Sequence, residues 1–352
     1  LMASYAGALF IFAPIVGSLS DAYGRKPVLL MALFILAVDY VFMALASEFW
    51  ILLIGRILAG IAGATYTTAT AYIADISSPE KRAARFGMVG AAFGIGFVLG
   101  PAIGGIAAEL HITAPFWIAA VLSAANVLFG LFVLPESLEP KKRRPFWFRD
   151  INPFTAIIGA FKTPGLAIPL VCLFVFEFAN MVYPVLWAFF TRELFDWSSF
   201  TIGISLAGYG ILLAGVQGGL MPVFINRVGE FRTLQIGILS ALIGFIGFGL
   251  ISTVTGLILV LIFAALSDLS PPMITAMAAN KVDEDKQGLV QGVIASLASI
   301  AAFLAPLIMT GVFEVFVDED GIYLPGAPFL ISGLLIALLI PLVWRLRSHA
   351  QS

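Results

Sequence analysis

Four ionisable side chains stand inside long apolar stretches of this sequence: Asp39, Arg56, Glu177 and Asp268. A charge in hydrocarbon costs about 2.5–3.5 kcal/mol on insertion scales, so each needs a partner, a proton or water. Asp39 and Arg56 lie in consecutive stretches at similar depth, roughly 12 Å and roughly 9 Å from the ends those stretches share at 1.5 Å per helical residue. The two are expected to interact or to line one cavity. Such a pair can exchange a proton, or it can simply lock two helices together. Glu177 and Asp268 belong to two other stretches, and each reads either as a proton carrier or as a hydrogen-bonded packing group. Helical spacing puts Glu177, Asn180, Pro184 and Trp187 on one face, which is expected to line a polar, aromatic cavity. Gln217 and Gln291 are further candidates for that lining. Asp268 precedes Ser270-Pro271-Pro272, a pattern that breaks a helix.

A second group of candidates sits at helix ends. The stretch Gly17–Leu30 reads GSLSDAYGRKPVLL. Gly17 and Gly24 permit a tight turn, and Pro27 suits the first turn of the following helix. Asp21, Arg25 and Lys26 place fixed charges where helices end, where they can meet helix dipoles or one another. A third pattern is GIGFVLGPAIGG from Gly94 to Gly105. Gly96, Gly100 and Gly104 recur every four residues, a smooth stripe along which another helix is expected to approach closely. Pro101 removes one backbone hydrogen bond from that helix and is expected to bend it.

The elements that position these residues follow from composition. Of 352 residues 61% are hydrophobic and 11% charged, and the mean hydropathy is +1.04. Soluble domains carry about 25% charged residues, so the chain is read as a membrane protein. Apolar runs of about 20 residues match a hydrocarbon core roughly 30 Å thick. Lipid offers the backbone no hydrogen bonds, so spans are helices or closed barrels, and these runs are too long for barrel strands. Eleven helices are expected: Leu1–Ser18, Pro27–Ser47, Trp50–Tyr72, Ala84–Ala108 and Thr113–Leu134, then Gly165–Phe190, Phe200–Phe224, Thr233–Ser252, Thr255–Met277, Leu289–Phe313 and Ala327–Leu346. The organisation expected is an N-terminal helical half (1–134), a polar linker (135–163) and a C-terminal six-helix half (164–352).

Of 19 basic residues, all but Arg56 and Arg192 fall in one alternating set of loops and the C-terminal tail. Cytoplasmic loops carry that excess, so the linker, with its run Lys141–Arg144, and the C-terminus are expected in the cytoplasm. An internal echo supports two similar halves. Asn226-Arg227-Val228-Gly229-Glu230 resembles the Gly24 turn, and Lys286-Gln287-Gly288 resembles Arg85-Phe86-Gly87.

Several chemistries are disfavoured. The single Cys172 excludes a disulfide within this sequence and any multi-thiolate metal site. One Cys and two His, His111 and His349 beside loops, do not supply a convergent catalytic set, so no enzyme is expected. No P-loop is present. The basic run is read as a topology determinant and lipid contact rather than a nucleic-acid patch.

The loop GSLSDAYGRKPVLL closely resembles the signature between the second and third helices of the major facilitator superfamily, departing at Ala22, where a basic residue is frequent. Only one helix precedes it here, so the family's first helix is expected upstream of Leu1. Leu52–Ala64 resembles the family's fourth-helix motif, whose Arg is implicated in proton coupling. The pattern from Gly96 through Gly100, Pro101, Gly104 and Gly105 resembles the antiporter motif of its exporters. Asp39-Tyr40, Ile73-Ala74-Asp75, Arg85-Phe86-Gly87 and Leu134-Pro135-Glu136-Ser137 together look like the tetracycline exporters.

That resemblance implies an all-α major facilitator fold of two pseudo-symmetric halves in the cell inner membrane, working as a monomer by alternating access. The implied activity is export of an amphipathic drug or tetracycline-like compound against protons. Proton coupling would fall to Asp39, Arg56, Glu177 and Asp268. A cytoplasmic gate would use Gly17, Asp21, Gly24, Arg25, Lys26 and Asp75. No cofactor is implied beyond the proton, and a divalent metal only as part of a tetracycline-like cargo. One departure matters: the exporters carry an acid in the helix corresponding to Thr233–Ser252, and Ala241 stands about where it should be. A metabolite carrier or a non-transporting receptor of the same fold remain the alternatives.

Overall fold

The computed structural model describes residues 1–77, 79–143, 152–282, 287–318 and 321–348. Arg144, Lys286, Glu319, Asp320 and His349 lie outside them. The described residues are helical, with short connections and no strand. Ten helices among them are long and apolar enough to cross a membrane, and an eleventh apolar stretch runs from Gly94 to Leu110. Large side chains face outward from them; Val121, Leu122, Leu128, Phe129 and Phe132 are all exposed on one helix. Outward apolar surface with inward polar groups is the pattern that hydrocarbon demands.

The chain divides into two compact units, Leu1–Pro153 and Phe154–Ser352. The first holds α1 (Met2–Tyr23), α2 (Arg25–Leu45), α3 (Phe49–Gly63), α4 (Tyr66–Asp75), α5 (Pro79–Leu110) and α6 (Ala114–Val133). Here α2 packs on α6 and α3, and α1 on α3. Small side chains make the interior, with Ala3, Ala6, Ala8, Ala59, Ala62 and Ala64 all buried. Water drives no association between helices in lipid, so close backbone approach through small residues does that work.

The second unit holds α7 (Pro153–Lys162), α8 (Ala167–Asn180), α9 (Val182–Phe195), α10 (Ser199–Gly215), α11 (Met221–Val228), α12 (Glu230–Leu250), α13 (Val254–Ser267), α14 (Ser270–Ala279), α15 (Gln287–Val317) and α16 (Ala327–Ser348). Its core is aromatic. Phe176, Phe190, Phe245, Phe248 and Phe329 are fully buried, and α12 packs on α13 and α16.

Four spans expected as single helices are interrupted. Thr65 Oγ1 donates to the Ala62 carbonyl (2.6 Å) where α3 gives way to α4. Pro184 lacks the N–H that would bond the Asn180 carbonyl, and α8 ends at Asn180. Val216–Leu220 forms a π-helical turn just before Pro222. The break foreseen at Asp268 is present, with α13 ending at Ser267 and Pro271-Pro272 opening α14. By contrast α5 runs on through Pro101 as one assigned helix.

The segment 135–163 is structured at both ends. Its beginning bonds to the first unit, and Pro153–Lys162 forms α7. The internal echo has a backbone counterpart. Gly24 (φ 109°, ψ 158°) separates α1 from α2, and Gly229 (φ 82°, ψ 165°) separates α11 from α12. Both occupy positive φ, which a side chain would strain.

Candidate functional site

The Asp39–Arg56 pair is present. Arg56 Nη2 donates to Asp39 Oδ2 at 3.0 Å. Asp39 is fully buried, whereas the Arg56 side chain is 24% exposed. The helix pair α2 and α3 sets this up, since the short connection Ala46–Glu48 folds them back antiparallel with Asp39 and Arg56 at one level. The pair is monodentate, and Asp39 Oδ1 and Arg56 Nε are buried without a hydrogen-bond partner among the described residues.

At the other end of α2 the expected charges form one network. Asp21, near the end of α1, and Arg25, at the start of α2, make an ion pair across the Gly24 break. Arg25 also donates to Ser20 Oγ (2.6 Å) and to Asp75 Oδ2 (3.4 Å), and Ser20 Oγ in turn donates to the Gly17 carbonyl (2.8 Å). Ser137 Oγ donates to the same Asp75 oxygen at 3.0 Å. The Lys26 ammonium pairs with no carboxylate among the described residues; its Nζ donates to the Leu131 carbonyl (3.0 Å), at the C-terminal turn of α6, where a helix end attracts a cation.

One member of this network was not singled out from sequence. Gly24 has no side chain with which to cap α2. Glu136 does it instead from 111 residues away, accepting from Arg25 N (2.9 Å) and Lys26 N (3.2 Å). Its Oε1 also accepts from Leu138 N (3.0 Å). A carboxylate at two free N–H groups and a positive dipole end is favourable in both respects. The detectable signal was a helix start without a local cap alongside an acid in the Leu134–Ser137 motif.

In the second unit Asp268 lies at the helix break. Tyr209 OH donates to Asp268 Oδ2 at 2.6 Å, and Asn180 Nδ2 makes a long contact to Oδ1 at 3.5 Å. Glu177 stands close enough for the two carboxyls to interact electrostatically. Neither acid forms an ion pair among the described residues. The expected common face of Glu177, Asn180, Pro184 and Trp187 does not hold together. The chain turns at Met181, so Asn180 reaches Asp268, while Trp187 donates to Ser205 Oγ (2.9 Å) on α10. Trp187 is closed into the aromatic core against Trp197 and Phe248 rather than open to a cavity, and Pro184 is exposed. Gln217, on the π-helical turn, and Gln291, on α15, are both exposed. Ala241, at the position where an acid would be expected, is fully buried in α12.

The glycine stripe also departs from expectation. Cβ atoms built at Gly96, Gly100 and Gly104 would meet nothing within 4 Å, so within the first unit no close helix contact forms along it among the described residues, although Gly105 is buried. The stripe lies on the exposed side of α5.

Residues 1–306 match the family model of the Major Facilitator Superfamily. The chain is 38% identical over 313 residues to the tetracycline resistance protein, class C, of Escherichia coli, covering 89% of this chain and 79% of that one. It is 31% identical over 357 residues to the class B protein of the same organism, covering 100% and 87%. Among solved structures it resembles the human organic anion transporter MFSD10 (TETRAN), with TM-score 0.71, 25% identity and coverage of 97% and 82%. The fold is also that of the nucleoside transporter NupG, with TM-score 0.78, 16% identity and coverage of 99% and 89%.

Proposed function

The chain belongs to the Major Facilitator Superfamily and is a multi-pass membrane transporter, not an enzyme, and we propose that it exports an amphipathic, tetracycline-like compound in exchange for protons. One observation carries the coupling: a fully buried carboxylate, Asp39, is neutralised by a single Arg56 contact and keeps its second oxygen free. A buried ion pair is stable only while both charges are present, so adding a proton to Asp39 releases Arg56 and rebalances α2 against α3. Proton binding thereby biases a two-state element, which is what coupling requires. Asp39 is the leading coupling site of this reading, and Asp268 with Glu177 is a secondary acid site whose loss leaves the exchange in place.

Asp21, Arg25, Asp75 and Glu136 act as the gate of the first unit. Their bonds join α1, α2, α4 and the chain after α6, and they must break for these elements to separate. Alternating access of this kind operates in the cell inner membrane, with the linker and C-terminus in the cytoplasm and the protein a monomer in lipid. A divalent metal enters only as part of the cargo.

A second reading has its own support. With Ala241 where the tetracycline exporters carry an acid, and Glu177 and Asp268 elsewhere, the cargo is an amphipathic drug other than tetracycline or a metabolite. The test is the pH gradient of energised everted vesicles as tetracycline and other amphipathic drugs are added. Drug-dependent collapse of the gradient supports exchange and names the cargo. Export unaffected when the gradient is abolished defeats the proton coupling, and no response to any drug favours a metabolite carrier.

A further inference from the structure

Asp39 offers two oxygens with different surroundings. Oδ2 accepts from Arg56, whereas Oδ1 is buried and accepts from nothing among the described residues. Gly55, the residue just before Arg56 on α3, faces the free oxygen. A Cβ built on Gly55 would lie 2.5 Å from Asp39 Oδ1 and 3.2 Å from Met43 Sδ. No real Cβ tolerates the first distance, and Asp39 is a short side chain held at its other oxygen. Met43 can turn aside; the carboxylate can do so only by leaving Arg56.

We propose that Gly55 is a positioning residue: by lacking a side chain it lets Asp39 reach Arg56 through Oδ2 while keeping Oδ1 free as the oxygen that takes the proton. The inference rests on the proton-coupling reading above. In the step, a proton bonds to Oδ1, the carboxylate becomes a neutral acid, and the Arg56 contact loses its charge partner; the reverse step restores both. Arg56 is the charged group that faces Asp39. Tyr5 of α1 lies within electrostatic reach of Arg56 and of Tyr40. The other helices packed on α2, namely α4 and α6, bring no charged group to the pair among the described residues. A larger residue at position 55 therefore acts on the pair without replacing a ligand or a charge.

The experiment compares Gly55→Ala with Asp39→Asn, wild type and a control, Gly208→Ala, whose Cβ would meet nothing within 4 Å. In reconstituted vesicles, gradient-driven transport is measured beside counterflow, which exchanges labelled for unlabelled substrate with no net proton movement, using the cargo identified as above. Gly55→Ala is expected to lose gradient-driven transport and keep counterflow, as Asp39→Asn does, while Gly208→Ala keeps both. Loss of both activities in Gly55→Ala, with Asp39→Asn keeping counterflow, marks Gly55 as a packing residue and overturns the inference. Normal transport by Gly55→Ala with Asp39→Asn inactive overturns it as well. Normal gradient-driven transport by Asp39→Asn defeats the coupling reading itself, and the inference with it. Because alanine favours helix over glycine by about 1 kcal/mol, the substitution does not work against α3 as a helix.

Discussion

The two units bury their acids in different ways. In the first, Asp39 meets a cation, Arg56, at 3.0 Å, and the pair is neutral as a whole. In the second, Asp268 meets among the described residues only neutral donors, the Tyr209 hydroxyl at 2.6 Å and the Asn180 amide at 3.5 Å, with Glu177 nearby adding a second carboxyl. The first arrangement stores opposite charges that a proton can separate. The second holds an acid by shape and hydrogen bonding, and any charge it carries is uncompensated by Lys or Arg among the described residues. Packing follows the same division. Small residues make much of the interior of the first unit, whereas an aromatic cluster of Tyr183, Phe245, Phe248 and Phe329 fills part of the second.

The sharpest test of that division is to remove the cation. Arg56→Ala leaves a buried carboxylate alone, and breaking a buried pair in this way costs about 3–5 kcal/mol. Thermal unfolding in detergent is expected to fall further for Arg56→Ala than for Arg56→Ala combined with Asp39→Asn; equal losses would mean that the pair is not a unit. Next in size is Tyr209→Phe, which removes a hydrogen bond to a charged group worth about 1.5–3 kcal/mol. It is expected to lower stability while leaving gradient-driven transport measurable, the opposite ranking from Asp39→Asn. Transport lost in Tyr209→Phe at full stability would move the coupling site to the second unit.

A smaller effect is expected at the gate. Glu136→Ala uncaps α2 at a cost of about 1 kcal/mol, and hydrogen exchange should rise at the amides of Arg25 and Lys26 but not at those of α12, whose Gly229 turn has no such distant cap among the described residues. The smallest lies outside the membrane spans. Tyr323 OH donates to Glu193 at 2.9 Å, and burial, with Glu193 as the next cause, raises its phenol above the ordinary value of 10.0. Because the folded value is the higher one, the contact contributes below about pH 10 and is lost as pH rises through the raised value. A Tyr323→Phe difference spectrum should show that one phenol ionising above the ordinary value of 10.0.

Much of this was legible in the sequence where a single residue type has few uses. Buried charges at matching depth implied the Asp39–Arg56 contact, and Ser270-Pro271-Pro272 implied the break at Asp268. Asp21 and Arg25 came from one loop motif and Asp75 from another, and the three do lie in one network. What was not legible depended on distant partners. Glu136 acts through contacts 111 residues away, which spacing along one helix cannot reveal. The face through Trp187 was read as one unbroken helix, whereas Pro184 interrupts the ladder and Trp187 packs into the aromatic core. The close approach expected along the glycine stripe was read from spacing, and spacing does not say what packs there.

The central claim is that the ion pair of the first unit links cargo to protons. Its most direct test is simultaneous recording of cargo and proton fluxes in vesicles holding wild type, Asp39→Asn or Asp268→Asn. The account predicts that the two fluxes run together in wild type, that Asp39→Asn exchanges cargo without moving protons, and that Asp268→Asn still moves both. Proton movement retained in Asp39→Asn and lost in Asp268→Asn would contradict it.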